Sequence, residues 1–105
     1  MEHIAYKVVS NKITLAFTLL RTKGYWCKRN MPTTNENMKN MKTVSLAFDG
    51  NRLFKKYGYT YITWTGDNGN DVRSTIESVG LKTIQAVRST MPGRYTQNLM
   101  KVSLI

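Results

Sequence analysis

Two lysines and three tyrosines at alternate positions form the segment whose residue types are best suited to chemistry: Lys55, Lys56, Tyr57, Tyr59 and Tyr61. If this segment is a strand, the three rings project from one face of a sheet. Unpaired bases stack on exposed aromatic rings, and neighbouring ammonium groups hold the phosphates. The pattern therefore predicts a stacking surface for single-stranded nucleic acid. An equally good interpretation is that the tyrosines pack under a helix and the lysines are only solvated.

A second basic segment follows Glu77, after which the sequence contains no acidic residue. Its cations are Lys82, Arg88, Arg94 and Lys101. Lys82 and Arg88 have the same strand parity, so they line one face if the segment is extended. An acid-free span of this kind suits contacts with phosphates. For any single one of these cations, however, an ordinary solvated surface is the simpler explanation.

A third mixture of cations and aromatic rings consists of Arg21, Lys23, Tyr25, Trp26, Lys28 and Arg29. It could be a second contact, or a flexible arm that becomes ordered on binding. We favour another interpretation, in which Trp26 anchors this part of the chain to the hydrophobic core.

The sequence lacks the residue sets of the common catalytic sites. It has no cysteine and histidine set for zinc, no glycine-rich phosphate loop and no Ser-His-Asp arrangement. Asp67 and Asp71 could hold magnesium, but a turn and a helix cap explain both residues better. We therefore expect no cofactor, no metal and no enzymatic activity.

One enzymatic class remains as the alternative. Small ribonucleases cleave RNA without metal when cationic and phenolic side chains activate the 2′-hydroxyl and stabilise the pentavalent phosphate. Arg88, Arg94 and Tyr95 have the required residue types, but their spacing is not diagnostic.

The lone cysteine, Cys27, cannot form an internal disulfide, which indicates a reducing compartment. Its neighbours Lys28 and Arg29 could lower the pKa of the thiol and make it reactive. A structural cysteine is the simpler interpretation.

Net charge is the strongest signal in the composition. The 105 residues include 16 Lys and Arg against 6 Asp and Glu, a net charge of +10. Residues 1–41 and 42–105 each carry +5, so the charge belongs to the fold and not to a tail. A polyanionic partner explains such a charge, and a generically soluble basic protein is the alternative. The length predicts a single domain.

No segment of the sequence resembles a membrane span. The longest apolar stretch, residues 13–20, is short and interrupted by two threonines, and no signal-peptide cleavage pattern follows it. We expect a cytoplasmic protein without a membrane partner.

The N-terminal part fits two secondary structures. Residues 12–20, after a turn at Ser10-Asn11, alternate as a strand does, yet their apolar side chains also recur at helical spacing. The β-branched threonines favour the strand. We therefore divide this part into an N-terminal hairpin or helix, residues 1–27, and a polar linker or loop, residues 28–43.

Residues 44–105 are expected to form a compact basic core. It is expected to begin with a strand over 44–48 and a turn at Asp49-Gly50, followed by a strand or a short helix capped by Asp49. Next come a strand over 59–65 and a helix over 71–79, which is capped by Asn70 or Asp71 and ended by Gly80. The last two elements are strands over 81–90 and 95–105, joined by a turn at Pro92-Gly93. This order predicts an α+β fold, with an antiparallel sheet and one or two helices packed on one face.

RNA, or another single-stranded nucleic acid, is the expected partner. The expected helix over 71–79 carries Arg73 against Asp71 and Glu77, so it would read the major groove of duplex DNA poorly. A basic, aromatic sheet face suits single strands better. The alternative from another class is an inhibitor whose basic face covers an acidic protein surface.

In its composition, rich in lysine and asparagine, the chain resembles the short accessory proteins encoded by large lytic bacteriophages, which often counter host defence systems. The resemblance implies a phage protein in the host cytoplasm that binds RNA and blocks a host ribonuclease toxin or another nucleic-acid-dependent defence. It also implies a host defence protein as a further partner.

Overall fold

Helices and strands alternate along the chain in an order typical of two-layer α+β proteins. The computed structural model describes residues 2–32, 41–90 and 96–104, and within them the side chains of 11–31, 41–84 and 98–104. The elements are α1 (Glu2–Thr22), β1 (Lys28–Pro32), β2 (Met41–Thr43), α2 (Phe48–Tyr57), β3 (Tyr59–Thr65), α3 (Gly69–Ser78), β4 (Lys82–Thr90) and β5 (Thr96–Ser103).

The five strands form one antiparallel sheet in the order β2-β1-β3-β5-β4. β3 is the central strand and pairs with β5 over its whole length, from Tyr59 opposite Ser103 to Thr65 opposite Gln97. The predicted α+β class with an antiparallel sheet is confirmed. None of the helices in the described ranges is both long and apolar enough to cross a bilayer.

The strand favoured for residues 12–20 is wrong, because α1 runs through this segment and through the expected turn at Ser10-Asn11. The helical spacing is the signal that decides: Ile13, Ala16, Phe17 and Leu20 are all buried in the core. The threonines that favoured a strand, Thr14 and Thr18, are accommodated on the exposed side of α1, where the Thr18 hydroxyl donates to the Thr14 carbonyl oxygen at 3.0 Å.

The expected linker over 28–43 contains two strands, β1 and β2, and its residues 33–40 lie outside the described part. Polar side chains hold these strands in register instead of an apolar pattern. The Asn30 amide donates to the Thr63 hydroxyl at 2.7 Å and accepts from the Thr43 hydroxyl at 3.1 Å. β1 therefore lies between β2 and β3 although its sequence shows no apolar alternation.

The expected strand over 44–48 and the turn after it are wrong, because α2 begins at Phe48. The alternative of a short helix in this region is confirmed, but its cap residue is Ala47 and not Asp49. Asp49 lies in the first turn of α2, where its N–H donates to the Ser45 hydroxyl oxygen at 2.8 Å. Gly50 is buried within the helix instead of forming a turn. Gly58 ends α2 in the left-handed conformation, with φ 84° and its N–H bonded to the Phe54 carbonyl.

The C-terminal part agrees with the sequence predictions. β3 has the predicted bounds, and α3 buries Val72 and Ile76 before Gly80 ends the turn with φ 92°. Asn68 precedes α3 as its cap residue, whereas Asn70 and Asp71 were expected there. β4 and β5 pair as predicted, and the expected turn at Pro92-Gly93 lies outside the described residues.

The three helices cover one face of the sheet. The core side chains between the layers are Ile13, Ala16, Phe17, Leu20, Phe54, Ile62, Trp64, Val72, Ile76, Leu81, Met100 and Val102. Four of them come from α1, so residues 44–105 do not form a core apart from the N-terminal segment. We call the opposite side of the sheet the outer face. By strand alternation and register its side chains include Lys28, Asn30, Thr43, Tyr59, Tyr61, Thr63, Lys82, Ile84, Leu99, Lys101 and Ser103.

Candidate nucleic-acid interface

The sheet separates the two signs of charge. Within their bounds, the five strands contain six basic residues and no acidic one. The six are Lys28, Arg29, Lys42, Lys82, Arg88 and Lys101. The acidic residues within the described ranges lie in the helices or, as Asp67, in a turn. The strands thus form a cationic layer beneath helices that carry both signs.

The three tyrosines of the 55–61 segment come together at one end of the outer face. Tyr59 and Tyr61 alternate along β3 as predicted, with ring centroids 5.3 Å apart in an edge-to-face arrangement. Tyr57 is the last residue of α2 and not part of a strand, yet its ring centroid lies 6.2 Å from that of Tyr59. Two lysines contact these rings: Lys101 Nζ lies 4.1 Å from the Tyr59 centroid and Lys56 Nζ 5.3 Å from the Tyr57 centroid.

Two of these rings are not accessible. Tyr59 and Tyr61 are only 7% and 6% exposed, whereas Tyr57 is half-buried. They do not belong to the core between sheet and helices either. Both sequence interpretations therefore miss part of the arrangement: the rings lie on the face turned away from the helices, but a base cannot reach the faces of Tyr59 and Tyr61 in this conformation.

The predicted lysines are accessible at several places. Lys55 and Lys56 are exposed on α2, and Lys82 is exposed on the outer face beside the half-buried Lys101. Sequence reasoning left Lys28 out of the primary site because its segment was interpreted as a linker, but it is exposed and shares this face.

Three of the predicted contact or catalytic residues cannot be placed. Arg88 belongs to β4, but its side chain lies outside the described part of the structure. Arg94 and Tyr95 lie outside it altogether. The arrangement expected for a metal-independent ribonuclease therefore stays a prediction.

The predicted role of Trp26 as an anchor is wrong, because its side chain is 80% exposed. Tyr25 makes the anchoring contacts instead. Its ring packs against the core, and its hydroxyl donates to the Asp71 carboxylate at 2.5 Å. Lys23 reinforces the same contact, since its Nζ lies 2.9 Å from Asp71 Oδ1 and 2.8 Å from the Thr75 hydroxyl.

These contacts shift the pKa values of both partners. The hydrogen bond from Tyr25 and then the one from Lys23 lower the pKa of Asp71, because each stabilises the carboxylate. The same hydrogen bond raises the pKa of Tyr25, since ionisation would remove the donated proton beside a negative charge. The pair therefore favours an ionised aspartate and a neutral phenol.

Asp71 is thus engaged by Tyr25 and Lys23. Among the residues that the structure describes, no group of three or more metal-ligating side chains comes together. The magnesium interpretation of Asp67 and Asp71 gains nothing from the fold.

Cys27 is half-buried and packs against the core. Burial raises the pKa of its thiol to about 11, because desolvation disfavours the thiolate. This supports the structural interpretation of the cysteine.

Arg29 faces the helices, so it is not a surface cation. It is fully buried, and its Nε donates to the Thr60 hydroxyl at 3.0 Å. One Nη donates to the Leu46 carbonyl and to the Asn51 side-chain oxygen, both at 2.7 Å. Arg29 therefore ties the segment before α2 and the start of α2 to the sheet.

A second surface lies where the segment before α2 meets the end of α1. A cleft of about 180 Å³ is lined by Phe17, Arg21, Tyr25, Trp26, Cys27 and Leu46. A shallower depression of about 490 Å³ follows along the chain and is lined by Ala47, Phe48, Asn51 and Arg52. We call the two together the Trp26–Phe48 surface. Phe48, like Trp26, is 80% exposed, and sequence reasoning missed it because alternation assigned it to a strand.

Comparison with known proteins adds no relative to these observations: no family model, no curated protein and no solved structure matches the chain.

Proposed function

We propose that this protein binds nucleic acid, preferentially single-stranded RNA, through the outer face of its sheet. The observation that carries the proposal is the charge of the outer face: among the residues whose side chains the structure describes, this face presents Lys28, Lys82 and Lys101 and no acidic side chain. Lys28 and Lys82 are exposed on that face, with the half-buried Lys101 between them in strand order. An acid-free cationic face attracts phosphates and releases their counterions on binding.

The geometry favours a single strand over a duplex. α3 carries Arg73 between Asp71 and Glu77, and its buried face packs on the sheet, so it is a poor reader of the major groove. A cationic sheet face can follow one flexible backbone, and lysines spread over several strands meet successive phosphates.

A biological role follows from the compositional resemblance to phage accessory proteins. We propose a phage RNA-binding protein that acts in the host cytoplasm and blocks a host ribonuclease toxin or another nucleic-acid-dependent defence. This role rests on RNA binding, which must be tested first.

The test compares two double variants with the same charge. Lys82→Gln with Lys101→Gln alters the outer face, and Lys12→Gln with Arg73→Gln alters the helical layer; each lowers the net charge from +10 to +8. The ligand is a fluorescent single-stranded RNA, and its affinity is measured by anisotropy at several salt concentrations. We expect the outer-face variant to lose roughly 10-fold in affinity near 0.1 M salt and the helical-layer variant to lose much less.

The salt dependence provides a second readout. Each phosphate contact to a single strand adds about 0.7 to the slope of log affinity against log salt, so the outer-face variant should lower the slope by about 1.4. Equal losses in both variants would contradict a localised site. A protein that binds no RNA at low salt and retains none when purified without nuclease would overturn the proposal in favour of an acidic protein partner.

A further inference from the structure

Trp26 is exposed although the segment around it is fixed to the rest of the protein. Tyr25 and Cys27, the residues on either side, pack against the core, and Tyr25 is also hydrogen-bonded to Asp71. Because both neighbours turn inward, the indole between them must turn outward. An 80% exposed tryptophan contributes little to folding, and its ring is available to a ligand.

The surroundings of this indole are aromatic and cationic. Phe17, Tyr25 and Leu46 supply the walls of the cleft beside Trp26, and Arg21 is exposed at its edge. Arg52 lines the neighbouring depression beside Phe48, where its guanidinium lies 3.7 Å from the Asp49 carboxylate in an exposed, weak pair. No acidic residue lines either cavity within the described structure.

We propose that the Trp26–Phe48 surface is a stacking site for unpaired nucleobases of the bound strand. Trp26 stacks on one base at the cleft, Arg21 holds the adjoining phosphate, and Phe48 with Arg52 can repeat the arrangement one step further. This inference rests on the proposed function and names the part of the molecule that distinguishes unpaired bases from a duplex.

Charge and continuity identify the occupant as nucleic acid. An apolar protein segment would fill the cleft but would leave Arg21 without an anionic partner, whereas a nucleotide offers a flat ring and a phosphate together. Lys28 lies two residues after Trp26 and belongs to the outer face, so one strand of RNA can pass from the lysines to the indole. Stacking therefore takes place here and not at Tyr59 and Tyr61, whose rings are buried.

The experiment measures the affinity of three variants for a fluorescent single-stranded RNA and for the same sequence as a duplex. Trp26→Ala should weaken binding of the single strand by about 10-fold, and Trp26→Phe should retain most of the affinity because a ring remains. The matched control is Leu15→Ala, which removes a half-exposed apolar side chain from α1 away from the cleft. It should leave the affinity unchanged.

Two readouts separate stacking from charge. Trp26→Ala should leave the salt slope unchanged, since stacking releases no counterions, and it should affect the duplex much less than the single strand. The single strand should also quench the emission of exposed Trp26 in the wild type, but not the emission of buried Trp64 in the Trp26→Phe variant.

The outcomes distinguish the two proposals. If the wild type binds RNA but Trp26→Ala binds it equally well and the emission is not quenched, the stacking site is overturned while RNA binding stands. If the wild type binds no RNA, both proposals fail.

Discussion

Residues 55–61 and 21–29 mix the same kinds of side chain, lysine or arginine with tyrosine or tryptophan, yet the fold uses them in opposite ways. In the first segment, Tyr59 and Tyr61 are buried and their lysine neighbours reach the surface. In the second, Arg29 is buried and Trp26 is exposed. Composition therefore does not determine whether the ring or the cation of such a segment faces the solvent.

Backbone context accounts for the difference. Tyr59 and Tyr61 lie on the central strand, with β5 on one side and β1 beside Tyr61 on the other, so cross-strand neighbours such as Lys101 cover the rings. Trp26 lies in the connection between α1 and β1, where the inward-facing neighbours leave it outside. The same aromatic residue types thus stabilise the fold in one place and remain available for a ligand in the other.

The largest expected effect tests this comparison directly. Tyr61→Ala should lower the free energy of unfolding by about 3 kcal/mol, because it leaves a cavity where a buried ring was. Trp26→Ala should change it by less than about 0.5 kcal/mol, because an exposed side chain loses few contacts. Urea denaturation followed by circular dichroism measures both values. Similar losses in the two variants would show that the contrast in burial is incorrect.

A smaller loss of stability is expected from a substitution at Gly50, where α2 packs against the buried Arg29 side chain. A Cβ at Gly50 would meet Arg29 Nε and Nη1 at 2.7 Å and would also collide with the Ser45 carbonyl oxygen. Gly50→Ala should therefore lower the free energy of unfolding by about 1–3 kcal/mol, the usual cost of overpacking.

Gly69→Ala is the matched control for this substitution. Gly69 is also in the first turns of a helix, but its added Cβ would meet only Trp64 Cζ2, at an ordinary 3.7 Å. This variant should be as stable as the wild type or slightly more stable, because alanine favours helix over glycine. If Gly50→Ala is equally well tolerated in the same urea experiment, the packing of Arg29 against α2 is wrong.

The smallest expected effect is the pH dependence of the hydrogen bond between Tyr25 and Asp71, which fixes the segment beside Trp26. The folded-state pKa of Asp71 is lowered, so its contribution to stability is present above the usual carboxyl pKa of about 4 and is lost as the pH falls through the lower folded value. The folded-state pKa of Tyr25 is raised, so its contribution is present below about pH 10 and is lost as the pH rises further.

Thermal unfolding at a series of pH values tests this expectation, with Asp71→Asn and Tyr25→Phe as variants. Asp71→Asn should flatten the acid side of the profile relative to the wild type, and Tyr25→Phe should flatten the alkaline side. Profiles that remain parallel to that of the wild type would show that this contact does not hold the segment.

Local signals explain why the C-terminal half was predicted well. β3 is rich in aromatic and β-branched residues, and glycines mark the turns on both sides of α3, so each element is specified within a few residues. The N-terminal half lacks such signals. Residues 12–20 fit two periodicities, and only packing against the sheet selects the helical one; β1 pairs through Asn30 and Thr63, residues that are distant in the sequence.

The candidate site was also predictable from the sequence only in part. Strand parity correctly placed Tyr59 and Tyr61 on the same face of β3, but it left open whether that face packs under the helices. It could not show that the two rings are covered, and it missed Phe48, which alternation assigned to a strand.

The amino-acid sequence by itself determined the net charge, the absence of acidic residues after Glu77, the alternation along β3 and the lack of a common catalytic set, because these depend on residue types and short spacings. Only the tertiary structure decided which aromatic rings reach the solvent, that Arg29 is a buried anchor and that Asp71 is committed to Tyr25 and Lys23. These properties depend on contacts between residues 17 to 48 positions apart. Burial is set by what the fold places over a side chain, not by the side chain's own neighbours in the sequence.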